Sequence, residues 1–273
     1  MQIHETAFIV STYRSYHQEL SKDIYARLWN NPNTDLLIPS ILESISKDEA
    51  ILHSLRNRFF YEQMYAFFSK NNGGTLINFG AGFSMYPFLL NNTVDTIEID
   101  KKDIIAYKKE KTMHWIREGK LPQRDIQYTA IDFNNSSEQD IHTTIQPMIH
   151  KTPTFILLEG VLFFLGPDTT HKLWNIFKEI QSKGDLVGSV SYIPEIENTD
   201  VYKRLLHYFD THNDTDDPFY HQTLPHSFYE NLDRYQLKKH IDEFDLSKIY
   251  APDAEIRDRT QILNEHMYIL QKS

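Results

Sequence analysis

The sequence predicts an α/β protein with an open, mostly parallel sheet of seven strands and helices on both faces. Two observations carry this prediction. From residue 75 onwards, short apolar runs alternate with helical patterns, as in strand–helix–strand units. The first apolar run ends in the glycine turn Gly80-Ala81-Gly82, and a helical pattern follows it. This order is typical of Rossmann-like folds, and the 273 residues (1–273) suffice for a single domain of that kind.

Residues 1–70 are predicted to form an N-terminal helical cap, because they show helical spacing and no strand alternation. Residues 13–29 are predicted to be one helix, which the segment Asn31-Pro32-Asn33 interrupts. Residues 48–68 are predicted to be a second helix. Its many aromatic residues are more typical of a core than of a binding pocket.

Residues 75–192 are predicted to be the core of the sheet. Four further strands are expected at 94–100, 126–131, 153–159 and 185–192. Helices are expected at 83–90, 101–118, 137–150 and 167–183. Lys108 and Lys109 are predicted to lie on a solvated helix face.

Residues 193–235 are polar and poor in strand signals, and they are predicted to be a lid inserted over the carboxyl edge of the sheet. Residues 236–273 are predicted to close the domain. Their pattern suggests a helix at 232–243 and the last two strands at 244–250 and 266–272.

The composition excludes several classes of function. A net charge of −10 argues against nucleic-acid binding, which needs a basic face. Cys is absent, and the His spacings match no metal signature, so no metal is predicted. No apolar run approaches about 20 residues, and no signal peptide is evident, so we predict a cytoplasmic protein without a membrane partner. The sequence leaves the oligomeric state open.

Three acidic residues stand at the ends of predicted strands: Asp100, Asp132 and Glu159. The carboxyl ends of parallel strands share one edge, so these acids are expected beside the glycine turn. Asp100 follows Gly80 by 20 positions, the spacing at which a carboxylate meets ribose hydroxyls in nucleotide-binding units. We therefore predict a nucleoside site.

The residue at position 85 bears on which nucleoside is bound. A dinucleotide fingerprint has a third glycine there, whereas this chain has Met85, and no phosphate-binding loop with Gly-Lys-Ser/Thr is present. A nucleoside without phosphates remains, and S-adenosylmethionine is the common one. An NAD-dependent oxidoreductase and a non-catalytic nucleoside-binding protein are the alternatives from other classes.

The chain also resembles a known family in three stretches taken in order: INFGAGFSMYPFLL at 77–90, IEIDKKDIIAYKKE at 97–110 and LLEGVLFFL at 157–165. Together with the helix around Arg56, they are similar to the leucine carboxyl methyltransferase family, over roughly residues 5–192. The resemblance implies a class I S-adenosylmethionine-dependent methyltransferase that releases S-adenosylhomocysteine. It points to the bacterial branch that O-methylates small molecules, with carboxyl methylation of a protein C-terminus as the alternative.

The resemblance implies roles for residues around the nucleoside. Gly80 and Gly82 would line the methionine and ribose part of the cofactor, and Asp100 would hold the ribose. Asp132 and Phe133 would flank the adenine.

The methionine end of the cofactor is assigned by the same resemblance. Glu159 would meet its ammonium group, and Arg56 would pair with its carboxylate, with Arg58 as a close competitor. Where the family commonly has polar or charged groups, this chain has Ser84-Met85-Tyr86, which predicts less polar surroundings.

The acceptor is predicted less directly. Arg14, Lys22 and Tyr192 are expected near it, and the two cations would suit an anionic small molecule. A carboxylate acceptor is already ionised at neutral pH and needs no base, whereas a hydroxyl needs one. The candidate bases are the lid histidines His207, His212, His221 and His226. We expect in-line transfer of the methyl group to oxygen.

Overall fold

A computed structural model describes residues 3–150, 152–212 and 220–273. Its strands are β1 Gly74–Phe79, β2 Val94–Asp100, β3 Ile126–Ala130, β4 Thr154–Leu158, β5 Leu186–Ser191, β6 Tyr235–Asp242 and β7 His266–Lys272. In the described chain they form a seven-stranded sheet in the order β3-β2-β1-β4-β5-β7-β6, and β7 runs antiparallel to both of its neighbours. The predicted α/β fold with a mostly parallel sheet is confirmed.

Helices cover both faces of this sheet. The longer ones are α1 Ile3–Tyr16, α3 Pro32–Ser44, α4 Glu49–Asn71, α6 Lys102–Arg117, α7 Glu138–Ile145, α8 Pro167–Ile180, α9 Asp200–Thr211 and α11 Glu243–Tyr250, and the short ones are α2 Gln18–Ser21, α5 Tyr86–Leu89 and α10 His226–Glu230. One core joins α7 and α8 to the sheet, and a second joins α4 and α11 to its other face. None of the described helices is long and apolar enough to cross a membrane.

The register of the central strands brings their carboxyl ends level. Phe79 of β1 pairs with Ile99 of β2 and with Leu158 of β4. Gly80, Asp100 and Glu159, which lie at or just beyond these pairs, therefore share one edge of the sheet. The strands are buried because helices cover both faces, as their almost wholly apolar sequences indicate.

The N-terminal cap has more breaks than predicted. Residues 13–29 are not one helix, because Lys22 adopts a left-handed conformation with φ +62° that ends α2. The segment at Asn31 starts a helix, since the Asn31 side chain accepts a hydrogen bond from the Thr34 N–H at 3.0 Å and Pro32 occupies the first turn of α3. Helix α4 matches the prediction, and its aromatic residues pack in the core.

Two predicted elements near residue 242 are wrong. Residues 235–242 form strand β6 instead of a helix, and residues 243–250 form α11 instead of a strand. Strand β6 lies at the sheet edge and exposes Lys238 and Lys239, so its charged sequence lacks the usual strand alternation. Asp242 ends it and caps the helix by accepting the Asp245 N–H at 2.8 Å.

The predicted helix at 83–90 is shortened to α5, because the turn continues to residue 85. In the predicted lid, the described residues form a short 3₁₀ helix, Pro194–Asn198, then α9 and α10, while residues 213–219 lie outside the described residues. Helix α9 packs against α1 and α3. The division into cap, core, lid and closing segment stays a prediction.

Candidate active site

The glycine turn after β1 has a backbone shape that other residues rarely adopt. Gly80 has φ +72°, and a Cβ there would lie 2.8 Å from the Cβ of Val161. Gly82 has φ +42°, but a Cβ there would lie no closer than 3.8 Å, to Ala7. Close packing and φ both require glycine at position 80. At Gly82 only φ does, and the space beside the turn is open to a ligand.

Asp100, the last residue of β2, is fixed against this turn. The N–H groups of Gly82 and Lys101 each donate to one of its carboxylate oxygens at 2.7 Å. Burial raises the pKa of Asp100 despite these two hydrogen bonds. Each carboxylate oxygen keeps a second lone pair, so Asp100 can still accept hydrogen bonds from a ribose.

A buried ion pair supports the turn from below. Lys108 pairs with Glu98, and its ammonium group donates to the carbonyl oxygen of Ala81 at 3.1 Å. Asn78 donates to the other oxygen of Glu98 at 3.2 Å. Lys108 is 1% exposed, so its predicted place on a solvated helix face is wrong. In place of water, the ammonium group contacts Glu98, the Ala81 carbonyl oxygen and, at 3.5 Å, the Ser84 hydroxyl.

Asp132 and Phe133 follow β3 at the same edge. Asp132 accepts hydrogen bonds from the Asn134 N–H at 3.0 Å and from the Asn135 side chain at 2.9 Å. Partial burial opposes ionisation, but the hydrogen bonds from Asn135 and Asn134 lower the pKa of Asp132. The Phe133 ring lies 5.7 Å from that of Phe79. The pair offers a carboxylate beside an apolar ring.

Glu159 lies just beyond β4, between two donors. Arg56 Nε donates to one carboxylate oxygen at 2.9 Å, and the Tyr86 hydroxyl donates to the other at 2.6 Å. Tyr86 belongs to the segment predicted to make the surroundings less polar. Its hydroxyl instead adds a polar group that holds Glu159 in place.

Arg56 is buried between two acids. Its Nη1 pairs with Glu265, which directly precedes β7, while its Nε holds Glu159. Burial opposes the charge, but Glu265 and Glu159 hold the pKa of Arg56 well above its usual range. Arg58, the competitor, points elsewhere, because it pairs with Glu62 at 2.8 Å and lies 3.9 Å over the Tyr250 ring. The structure thus brings Arg56 to the strand-end acids.

A cavity of about 110 Å³ adjoins this group, between α1, α3, the start of α4 and α9. Its rings are Tyr13, Phe163, Phe164, Tyr192, Tyr208 and Phe209. Its polar wall carries Glu49, His53, Arg56 and Glu265. Gly160, the residue after Glu159, also lines it, so the cavity opens next to the end of β4.

Glu49 and His53 lie one turn apart on α4. His53 Nδ1 is 3.1 Å from the main-chain oxygen of Glu49 and 3.8 Å from its carboxylate. Burial and, to a smaller extent, the charge of Glu265 raise the pKa of Glu49 to about 8, although the charge of Arg56 opposes them. Burial and Arg56 lower the pKa of His53 well below its usual value. Both side chains are therefore uncharged near neutral pH.

Of the three residues predicted near the acceptor, one lines the cavity and two do not. Tyr192 lines the cavity. Arg14 is buried behind the cavity wall, where it pairs with Asp23 at 3.0 Å and donates to the Phe83 carbonyl oxygen at 2.9 Å. Lys22 ends α2 outside the cavity wall. Neither cation is part of the cavity wall. Arg14 instead joins the N-terminal cap to the glycine turn.

The structure also places the four lid histidines outside the cavity wall. His207 is exposed on α9, and His212 stacks on the outer side of Tyr208 at 4.2 Å. His221 packs behind Phe163, with ring centroids 6.0 Å apart. His226 lies 4.5 Å from His240, near β6.

Sequence reasoning missed Glu49, His53, Tyr86 and Glu265. One signal was available: Glu49, His53 and Arg56 are spaced by four and three residues, which puts them on one helix face. Tyr86 and Glu265 carried no comparable local signal.

The fold has counterparts among solved structures. A DUF574 family protein from Streptomyces avermitilis MA-4680 superposes with a TM-score of 0.66 at 9% identity, covering 89% of this chain and 91% of that one. A candidate methyltransferase from Thermobifida fusca YX gives a TM-score of 0.59 at 14% identity, covering 89% and 90%. Magnesium protoporphyrin IX methyltransferase from Synechocystis PCC 6803, with bound S-adenosylhomocysteine, gives 0.52 at 9% identity, covering 97% and 100%. These identities support a shared fold only.

The fold is the one found in class I methyltransferases. The sequence model of the leucine carboxyl methyltransferase family matches residues 18–178, more than half of the chain, and the chain belongs to that family. No curated protein matches it in sequence. It is an S-adenosylmethionine-dependent methyltransferase, with S-adenosylhomocysteine as product. The residues present fit this cofactor, because the space beside Gly82 is open and the carboxylates of Asp100, Asp132 and Glu159 lie along the same edge of the sheet.

Proposed function

We propose that this enzyme O-methylates a small molecule, at a hydroxyl or a carboxylate oxygen. The observation that carries the proposal is the aromatic cavity at the end of β4, which adjoins the residues expected at the methionine end of the cofactor. Its six aromatic side chains suit an acceptor that itself has a ring. Tyr192 is proposed as one of its walls.

The strand-end residues are proposed to hold the cofactor. Asp100 would accept hydrogen bonds from the ribose, beside the turn formed by Gly80 and Gly82. Asp132 would accept the adenine amino group, with Phe133 against the ring. These assignments are supported by the carboxylate positions at one edge and by the buried Phe133.

Glu159 and Arg56 are proposed to bind the ammonium and carboxylate groups at the methionine end. In this structure they bind each other, so Arg56 would have to exchange a carboxylate partner when the cofactor enters. Tyr86 keeps Glu159 oriented through this exchange.

The bound cofactor supplies an electrophilic methyl group on a sulfonium. The protein orients the acceptor and restricts the access of water to it. The rings around the cavity would limit the access of water to a bound acceptor, and helix α9 covers the cavity from the lid side. Orientation alone can contribute on the order of 7–11 kcal/mol in ideal cases.

One observation favours a second candidate, carboxyl methylation of a protein C-terminus. Ile41, Ile45 and Leu263 also line the cavity, and such a patch would accept a leucine side chain.

The two candidates are separated by measuring S-adenosylhomocysteine release. The acceptors would be a panel of phenols and aromatic acids, and a peptide ending in leucine as acid or as amide. We expect turnover with small aromatic acceptors. Turnover with the free-acid peptide alone would establish the second candidate. Cytoplasmic location and oligomeric state stay open to fractionation and light scattering.

A further inference from the structure

We propose that the acceptor is an uncharged phenol, that His53 is the base that removes its proton, and that Glu49 hydrogen-bonds to the same acceptor. This inference rests on the proposed O-methyltransferase function and selects hydroxyl over carboxylate.

The hydrogen bond of His53 determines which ring nitrogen is available. Its Nδ1 lies 3.1 Å from the main-chain oxygen of Glu49. A carbonyl oxygen can only accept, so Nδ1 carries the proton and Nε2 keeps its lone pair. The side chain lines the cavity, and the Tyr13 ring packs edge-on against it at 5.3 Å. His53 is thus held in the tautomer that a general base needs.

Glu49 is incomplete without a ligand. Its Oε1 is buried and has no hydrogen-bond partner among the described residues, although the residue is only 4% exposed and lines the cavity. Leaving a buried carboxyl oxygen unpaired is costly. Because the single O–H of the phenol donates to His53, the protonated Glu49 would pair with the acceptor by donating its own O–H to the phenol oxygen. Two residues of the cavity wall, one helical turn apart, therefore offer an unpaired carboxyl oxygen (Glu49) and an unprotonated ring nitrogen (His53).

The charges of the cavity oppose an anionic acceptor. Arg56 is the one lysine or arginine among the described lining residues, and it already holds Glu159 and Glu265. A carboxylate would enter beside Glu265 and compete with two acids for a single cation. A neutral phenol meets no such repulsion, and the six rings suit its own ring.

The step balances with the cofactor already established. The phenol loses its O–H proton to Nε2 of His53, and its oxygen forms the new bond to the methyl carbon. The sulfur keeps the electron pair of the broken carbon–sulfur bond. The imidazolium later releases its proton to solvent.

Several titratable or charged groups surround His53. Glu49 and Arg56 share its helix, Tyr13 and Arg14 belong to α1, and Tyr208 of α9 lines the same cavity. Burial and the two arginines lower the pKa of His53, so the base remains unprotonated at neutral pH and below. We expect phenol methylation to show no loss of rate between about pH 6 and about pH 7.

The first test is binding, without turnover. Phenol and benzoate, which share a ring, are titrated into the protein carrying S-adenosylhomocysteine and followed by calorimetry and by ¹⁵N NMR of the histidine rings. Phenol should bind at least about tenfold more tightly and shift the His53 Nε2 resonance. Tighter binding of benzoate, or an unshifted His53 resonance with bound phenol, would overturn the inference.

The second test is kinetic. His53→Asn should lower kcat for phenol methylation by about 10²- to 10⁴-fold with little change in KM, while His114→Asn, on the exposed face of α6, should not. Unchanged turnover in folded His53→Asn would refute the base assignment. Should this variant fold poorly, the resonance shift in the unmutated protein decides.

The two proposals fail differently. Methylation of benzoate that does not depend on His53 would leave an O-methyltransferase and remove the phenol assignment. Absence of transfer to any oxygen acceptor in the panel, with cofactor bound, would remove the proposed function itself.

Discussion

The cofactor edge of the sheet and the neighbouring cavity handle buried polar groups in opposite ways. Under the glycine turn each charge is satisfied by the protein: Asp100 by two N–H groups, and Lys108 by Glu98 and the Ala81 carbonyl. In the cavity, one Glu49 oxygen has no partner among the described residues. The cofactor edge is complete before binding, whereas the cavity retains unused hydrogen-bonding capacity, which is where an acceptor would bind.

The largest effect is expected when the Lys108 charge, which contacts the glycine turn, is removed. Lys108→Met leaves Glu98 buried without its cation, and we expect the free energy of unfolding to fall by about 3–5 kcal/mol. Urea unfolding measures this. Lys109→Met, on the exposed side of the same helix, should change stability by less than about 1 kcal/mol. Similar effects in both variants would show that the ion pair does not support the turn.

For the cavity we expect the opposite effect on stability: removing the carboxyl group of Glu49 should stabilise the protein at high pH, where the buried group would have to ionise. Its pKa is about 8 in the folded state against 4.5 ordinarily, so the folded state holds a proton that the unfolded state releases. Stability is therefore lost as pH rises between these values. From about pH 5 to about pH 7.5, the stability of Glu49→Gln relative to the unmutated protein should rise by about 3 kcal/mol.

Urea unfolding across this pH range measures the effect, and the exposed Glu43→Gln on α3 is the matched control. A constant difference between Glu49→Gln and the unmutated protein would mean that Glu49 is ionised in the cavity. The contrast between the two regions would then fail.

The ribose assignment predicts a smaller effect. Asp100→Ala removes a charged acceptor at the turn, and cofactor affinity should fall by about 1–3 kcal/mol, or about 5- to 150-fold. Calorimetry with S-adenosylhomocysteine is the measurement. Asp95→Ala, exposed on the same strand, should bind normally. Equal affinities in all three proteins would move the ribose away from β2.

The smallest effect is expected at Tyr86. Tyr86→Phe keeps the buried ring but removes the hydroxyl that donates to Glu159 at 2.6 Å. We expect cofactor affinity to fall by about 1 kcal/mol, measured by the same calorimetry. Tyr65→Phe, half-exposed on α4, provides the control. A larger loss than in Asp100→Ala would place more of the binding energy at the methionine end.

The same contrast explains what the sequence could predict. Gly80, Asp100, Asp132 and Glu159 could be predicted as site residues because each adjoins a strand end, and strands carry a local apolar signal. The cavity is assembled from segments far apart in the chain. The candidate bases predicted from the sequence were the lid histidines, whereas the structure places His53 in the cavity wall and those four histidines outside it. Composition cannot show which histidine faces inward.

Two other misses have physical reasons. In the sequence, Lys108 resembles any other lysine of a charged helix, because its partner Glu98 lies on another element, strand β2, and no local pattern indicates the pairing. Strand β6 is an exposed edge whose lysines hide its alternation, so it was predicted as a helix and the capped α11 as a strand.

The contact between Arg56 and Glu265 spans 209 positions of sequence. Glu265 directly precedes β7, which lies between β5 and β6. We expect β7 to pair with these strands before Glu265 can contact Arg56 on α4. Such a non-local contact forms slowly, because a long loop has to close first. Until then, Arg56 has Glu159 as its partner and the cavity lacks one wall. The time at which ligand binding is recovered during refolding should therefore report when β7 joins the sheet.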